Sequence, residues 1–457
     1  MSSKRVTSRD ILDGPIGPIV FRMMVPMIFG IFAAMTFQLV DTYFVSLLGT
    51  QELAALGFVA PVAFTVVNLA IGLSIATSVM VGQAIGQGAH NRAARITTET
   101  ILLALLVMVL VSWLGVATID PLFRLLGASP GTIVLIHEYL DIWYVFAALL
   151  IIPMLANGAI RATGDTKWPS ILLMISGLIN VILDPIFIFG WGPVPAMGIR
   201  GAAWATVCGW SFGFCTALSL LYFREKLLVF ALPPKQELFK VWGRVIKLAA
   251  PISIANMLSP ITMVVLTAMI SSYGESAVAA FGAGVRVEAL AFVVALAATA
   301  ALSPYMSQNL GAGNIQRAKT ALSLTLRRLM IFQLLAYAVL FILASPIAGL
   351  FSEDPEVIST TTLYLRIMPL GLAAYCCVIV FNTAYNAAHQ SYRTMLVSII
   401  RLFVLLIPAA WLGSHFFGIP GFFAGAVMGN LLTVVVALRF YQRMNLAPSP
   451  QTVEQAQ

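Results

Sequence analysis

The sequence predicts an all-α polytopic membrane protein: twelve spans arranged as two six-helix lobes related by a pseudo-two-fold along the membrane normal. Three observations carry that prediction. The first is composition. Of 457 residues, 60% are hydrophobic and 10% charged, with a mean hydropathy of +0.95, whereas soluble domains carry about 25% charged residues. The second is the recurrence of apolar runs of about 20 residues, the length of a helix crossing a bilayer. The short alternating segments of a membrane β-barrel are missing. The third is an internal repeat that holds one register across most of the chain.

The spans read as 19–47, 53–86, 96–118, 133–158, 168–190, 198–222, 246–272, 278–310, 324–346, 362–388, 394–413 and 418–441. The segments between them sort by charge. Basic residues gather in the N-terminal tail (Lys4, Arg5, Arg9) and in the even connections. These hold Arg92 and Arg95, then Arg161 and Lys167, then Arg224, Lys226, Lys235, Lys240, Arg244 and Lys247, then Arg317, Lys319, Arg327 and Arg328, then Arg393. Arg439 and Arg443 close the series. The odd connections hold little basic charge, and the ninth carries Glu353, Asp354 and Glu356. Lys and Arg concentrate on the cytoplasmic side of membrane proteins. Both termini are therefore expected in the cytoplasm, with the chain multi-pass in an inner (plasma) membrane. The polar start lacks a cleavable signal pattern, so span 1 is expected to stay as an anchor.

The repeat has an offset of 225 residues. Pro26 matches Pro251, Gly49 matches Gly274, Gln83 matches Gln308, and Arg92-Ala93 matches Arg317-Ala318. Tyr139-Leu140 falls on Tyr364-Leu365 and Asn157 on Asn382, and Gly198-Ile199 meets Gly418-Ile419 at an offset of 220. Each half holds an even number of spans, so both enter the membrane in the same sense, as in parallel-repeat transporters. The layout is a tail (1–18), an N-lobe (19–222), a cytoplasmic linker (223–245) containing Pro233-Pro234, a C-lobe (246–441) and a second tail (442–457).

Several function classes drop out. There is no phosphate-binding loop, so ATP hydrolysis is not expected. The four cysteines, Cys208, Cys215, Cys376 and Cys377, lie in apolar spans without metal or disulfide spacing, and read as packing residues. His90, His137, His389 and His415 lie in loops or near span ends, away from a mid-span proton relay. The net charge of +8 is spread over loops on one side, which does not suggest nucleic acid. Neither an enzymatic constellation nor a resident metal or cofactor is expected. The partners are the bilayer and small drug-like or cationic molecules, and the chain is expected to be a monomer.

The residues that do suggest chemistry are two aspartates. Asp41 lies in span 1 and Asp184 in span 5. An aspartate at helix-centre depth costs about 2.5–3.5 kcal/mol on insertion scales. The repeat partners of these two positions are Leu266 and Ala409, so the duplicated scaffold does not require the acids. Each lies about six residues before the outer end of its span, roughly 9 Å inside the boundary at 1.5 Å per residue. Gln38 shares the face of Asp41 and Asn180 that of Asp184. Tyr139, Asn68, Asn157 and Thr206 are further polar candidates. Pro185 disfavours helical geometry at Asp184, so a local break is expected there. A carboxyl in a low-dielectric pocket holds its proton to higher pH, the more so beside a second carboxylate. Such a pair suits H⁺ coupling, and the same oxygens also suit Na⁺. Pro26 and Gly30, one turn apart, supply a candidate hinge in span 1.

In the C-lobe, Arg286 and Glu288 lie in span 8 and Arg401 in span 11. Glu288 is expected to pair with Arg401 or another polar group as a structural bridge, with an ion site as the alternative.

The segments Gln38–Gly49 and Asn180–Gly190, the run Arg161-Ala162-Thr163-Gly164-Asp165-Thr166, and the stretch from Ser303-Pro304 to Asn314 resemble the MATE (multidrug and toxic compound extrusion) family, in its DinF-like branch. The likeness covers about residues 18–442. It implies a V-shaped pair of six-helix lobes that exports organic cations or amphipaths in exchange for H⁺ or Na⁺. It also implies a coupling network at Asp41, Tyr139, Asn180 and Asp184, and bending of the first helix at Pro26. Phe37 stands where relatives can have a tyrosine. The acids that the NorM-like branch carries in spans 7 and 10 are missing. A lipid-linked sugar flippase is the lesser alternative, because it calls for a cationic cavity.

Overall fold

A computed structural model describes residues 5–230 and 234–444. Lys4, Pro233 and the tail from residue 445 lie outside the described residues. The elements are α1 (Ser8–Asp13), α2 (Ile16–Ser46), α3 (Thr50–Gly86), α4 (His90–Leu125), α5 (Pro130–Val145), α6 (Ala148–Ala162), α7 (Lys167–Phe189) and α8 (Ile199–Ser219), the last running on into a π turn, Leu220–Arg224. Then follow α9 (Lys235–Ser271), α10 (Glu275–Gly311), α11 (Ile315–Ile342), α12 (Ala344–Ala348), α13 (Pro355–Ala387), α14 (Ser391–Ile399), a π segment (Ile400–Leu406) and α15 (Ile407–Gln442).

Among the described residues ten continuous helical stretches are long and apolar enough to cross a membrane, and the α5–α6 pair, bent by 48°, makes one more. The final 52-residue stretch, Ser391–Gln442, is broken at Gly418 (φ 63°, ψ −145°). Counting its two arms separately gives the twelve expected spans. Large apolar side chains face outward in number. Trp113 is 69% exposed, Ile342 74% and Phe417 75%. In water such a surface would drive association, but against lipid it is the expected surface of a spanning helix.

The chain divides into two compact units. One holds Val25–Ser253 and the chain up to Arg9. The other holds Asp10–Met24 and the chain from Ile254 onward. Both α2 and α9 therefore begin in one unit and finish in the other, and α9 starts inside the segment read as linker. Within the first unit α3 packs on α4, α5 and α6, while α8 packs on α5, α6 and α7. Within the second, α13 packs on α10, α11 and α15.

The duplication is visible in the backbone. Gly198 enters α8 at φ 55°, ψ −135°, close to the values of Gly418. Gly88 and Gly313 turn the chain at φ 74° and φ 79°. An L residue with a side chain rarely adopts these angles, so glycine recurs in both copies.

The motifs that carry the family resemblance hold the basic ends of the helices. Asp165 caps α7, accepting from Lys167 N at 2.9 Å and Trp168 N at 3.3 Å. Its other oxygen accepts from Arg224 at 2.7 Å. Arg5 joins this cluster by pairing with Glu225 and lying 3.8 Å from Asp165. In the second unit Arg317 donates to the carbonyls of Ile11 and Gly14 at 3.3 and 2.6 Å and to the Tyr305 hydroxyl at 3.1 Å.

Two expectations need correction. The break expected at Asp184-Pro185 does not occur, and α7 runs helically through Pro185. Proline removes one intrahelical donor, and spanning helices tolerate that loss when neighbours pack closely, as α8 does here. At Pro26, where a hinge rather than a break is expected, the α2 helix is continuous. Of the cysteines, Cys376 and Cys377 are buried, but Cys215 is exposed and packs no core.

Candidate functional site

The first unit encloses a cavity of about 500 Å³. It is built where small residues let helices approach. A Cβ on Gly209 of α8 would lie 2.7 Å from the Ser176 carbonyl of α7. This close crossing brings Thr206 within reach of Asn180. The Asn180 Nδ2 donates to the Thr206 hydroxyl at 3.3 Å and to Asp184 Oδ1 at 3.2 Å, one turn along its own helix. Asp184 is fully buried. Asp41 arrives from α2, and the two carboxyls lie within hydrogen-bonding reach of each other. The Tyr139 hydroxyl, on α5, lies within reach of Thr206.

One oxygen of each aspartate, and Asn157 Oδ1, are buried without a hydrogen-bond partner among the described residues. Buried polar atoms are costly unless satisfied, so this cavity presents acceptors that a proton, a cation or a donor-bearing ligand can meet. Its walls are apolar and aromatic. Trp143 and Trp210 meet edge to face at 5.5 Å, and Phe37 packs against Gly177.

Asp41, Gln38, Tyr139, Asn157, Asn180 and Thr206 all border this one cavity, while Asp184 is buried behind its lining, held by Asn180. Asn68 does not border it. It donates back to the Phe64 carbonyl of its own helix at 2.9 Å and takes no part in the lining. Pro26 and Gly30 stand away from it. A Cβ on Gly30 would come within 2.9 Å of Ser170 Cα, so α2 and α7 cross closely there. The tryptophans were not legible as site residues, since indole side chains are common in any apolar span. Their one signal is that α5 and α8 carry them beside Tyr139 and Thr206.

The second unit holds a smaller cavity, about 220 Å³, bordered by Glu288 and Arg401. Of the two partners expected for Glu288, Arg401 or another polar group, the structure has the second: Glu288 Oε2 accepts from the Tyr364 hydroxyl at 2.9 Å, while Arg401 Nε donates to Asn430 Oδ1 at 2.9 Å. The reason is that a tyrosine and an asparagine stand nearer to each charge than the two charges stand to one another. Arg286 is exposed and does not border the cavity. It points away from Glu288, as a rotation of about 200° over two helical residues requires.

The family model described as MatE matches residues 26–186 and 251–412, once in each half. The chain belongs to the MatE family. Like the members of that family, it is a multi-pass membrane transporter and not an enzyme. A protein named "FAD transporter" from Shewanella oneidensis is 37% identical over 95% of this chain and 96% of its own. The "Probable multidrug resistance protein YpnP" of Bacillus subtilis is 25% identical over 91% and 93%. Among solved structures, the Vibrio cholerae MATE transporter VcmN in the bent form superposes with a TM-score of 0.88 at 31% identity, covering 95% of this chain and 97% of that one. The MatE repeat thus coincides with the internal duplication read from the sequence.

Proposed function

We propose that this MATE transporter is an H⁺-coupled exporter of organic cations and amphipathic drugs, of the DinF-like kind, working in an inner membrane with both termini cytoplasmic. The observation that carries the proposal is the Asp41–Asp184 pair, two carboxyls within hydrogen-bonding reach beside an apolar cavity that Asp41 borders. Two carboxylates in contact repel, and one shared proton turns the repulsion into a hydrogen bond. A cationic substrate then competes with that proton for the same oxygens. Asn180, Thr206 and Tyr139 hold the pair in place, and Gln38 and Asn157 offer polar contacts to the cargo. Loss of the Asp41–Asp184 bond frees α2, which is pinned to α7 near Gly30 and lacks one intrahelical bond at Pro26. Bending there gives the conformational change. No resident cofactor is needed, and the chain works as a monomer.

The test is dye efflux from reconstituted vesicles under an imposed pH gradient or an imposed sodium gradient. The proposal expects stimulation by the pH gradient. Stimulation by sodium alone would move the same site to Na⁺ coupling.

A second reading concerns cargo. The Shewanella oneidensis relative named "FAD transporter" favours a flavin dinucleotide as a further substrate. Counterflow of FAD against unlabelled FAD in the same vesicles tests this reading.

A further inference from the structure

We propose that the cavity of the second unit is a separate ligand site that takes a small, flat aromatic molecule carrying an anionic group. The inference goes beyond the coupling assigned to Asp41 and Asp184 and uses none of those residues.

The first argument is charge. Arg401 borders the cavity with a permanently charged guanidinium. Its partners within the unit are neutral: the Asn430 amide oxygen at 2.9 Å and the face of Tyr375, with the guanidinium carbon 3.8 Å from the ring centroid. It forms no ion pair with Glu288, the acid of this cavity, which is held by the Tyr364 hydroxyl. A cation in a low-dielectric setting whose direct partners are all neutral attracts an anion strongly. The planar fork of arginine also matches carboxylate and phosphate oxygens in pairs.

The second argument is shape. Arg401 stacks on Tyr375, and Tyr375 in turn lies nearly parallel to Phe292, with centroids 5.7 Å apart and planes 17° apart. Phe281 and Tyr364 add an edge-to-face pair at 5.6 Å. A flat ring extends such a stack. Met263 and Met368 complete the lining with side chains that adapt to varied apolar surfaces. The third argument is size. About 220 Å³ is below the roughly 300–1,000 Å³ of drug-sized pockets, so a one- or two-ring anion fits better than a large amphipath. Glu288 at the same cavity disfavours a ligand whose only charge sits against it, so the anionic group belongs at the Arg401 end.

The experiment is calorimetric titration of the full chain in detergent with 1-naphthyl phosphate and with 1-naphthol, which differ by the phosphate alone. It needs no ion gradient, so its outcome is independent of the efflux assay. The expected result is at least tenfold tighter binding of the phosphate. Arg401→Met should abolish that preference while keeping naphthol binding. Tyr375→Leu should weaken both ligands and keep the preference. Met263→Trp, which fills the cavity, should remove both, and it stands in if Arg401→Met does not fold. Equal affinities in the native chain would overturn the proposal. So would a preference that survives Arg401→Met, or binding that survives Met263→Trp. Displacement of naphthyl phosphate by an equal concentration of dioleoyl phosphatidate would assign the cavity to a lipid headgroup and overturn the aromatic assignment.

Discussion

The two units share a helix plan, matching turn glycines and a duplicated tyrosine, yet their cavities carry different chemistry. Tyr139 in the first and Tyr364 in the second are repeat partners, and each sits beside a carboxyl-bearing cavity. In the first unit two aspartates approach each other. In the second, one glutamate and one arginine sit apart, each bound to a neutral group. The scaffold is common, so the difference isolates what the fold alone does not require. Paired acids suit a proton that comes and goes. A separated acid and base suit a fixed site.

This comparison breaks most visibly at the acids. Asp41→Asn and Asp184→Asn should each reduce gradient-driven dye efflux to the level of empty vesicles, while Glu288→Gln should retain most of it. Equal loss in all three would erase the functional asymmetry between the units.

A smaller effect is expected where helices cross closely. Gly209→Ala places a methyl 2.7 Å from the Ser176 carbonyl, and should cost about 1–3 kcal/mol as overpacking. Thermal unfolding in detergent should show the drop, and efflux should fall because Asn180 no longer reaches Thr206. Arg317→Ala removes donors to Ile11 and Gly14 and should speed protease cleavage between Asp10 and Pro15, with little change in efflux. The smallest effect on transport is predicted for Tyr364→Phe. It removes one hydrogen bond to Glu288, should cost about 1–3 kcal/mol because a buried acceptor loses its donor, and should leave proton coupling intact.

Much of this was readable from residue order. Span positions follow from apolar length, and the duplication follows from Pro, Gly and Gln pairs held in one register. The aspartates stood out because burying them is costly and because Leu266 and Ala409 replace them in the second half. What escaped depends on side-chain direction. Asn68 looked equal to Asn157, but only Asn157 turns into the cavity. The break at Pro185 failed because packing against α8 sustains a helix that local rules disfavour. Which polar group meets Glu288 was not readable, because Tyr364 and Asn430, each distant in sequence, reach Glu288 and Arg401.

The central claim is that the Asp41–Asp184 pair holds a proton that substrate binding expels. Proton release on adding a cationic dye to the purified chain, followed with a pH indicator in weak buffer, tests it most directly. About one proton should be released per dye bound, with release lost in Asp41→Asn and retained in Glu288→Gln. Dye binding without proton release in the native chain, or undiminished release in Asp41→Asn, would contradict it.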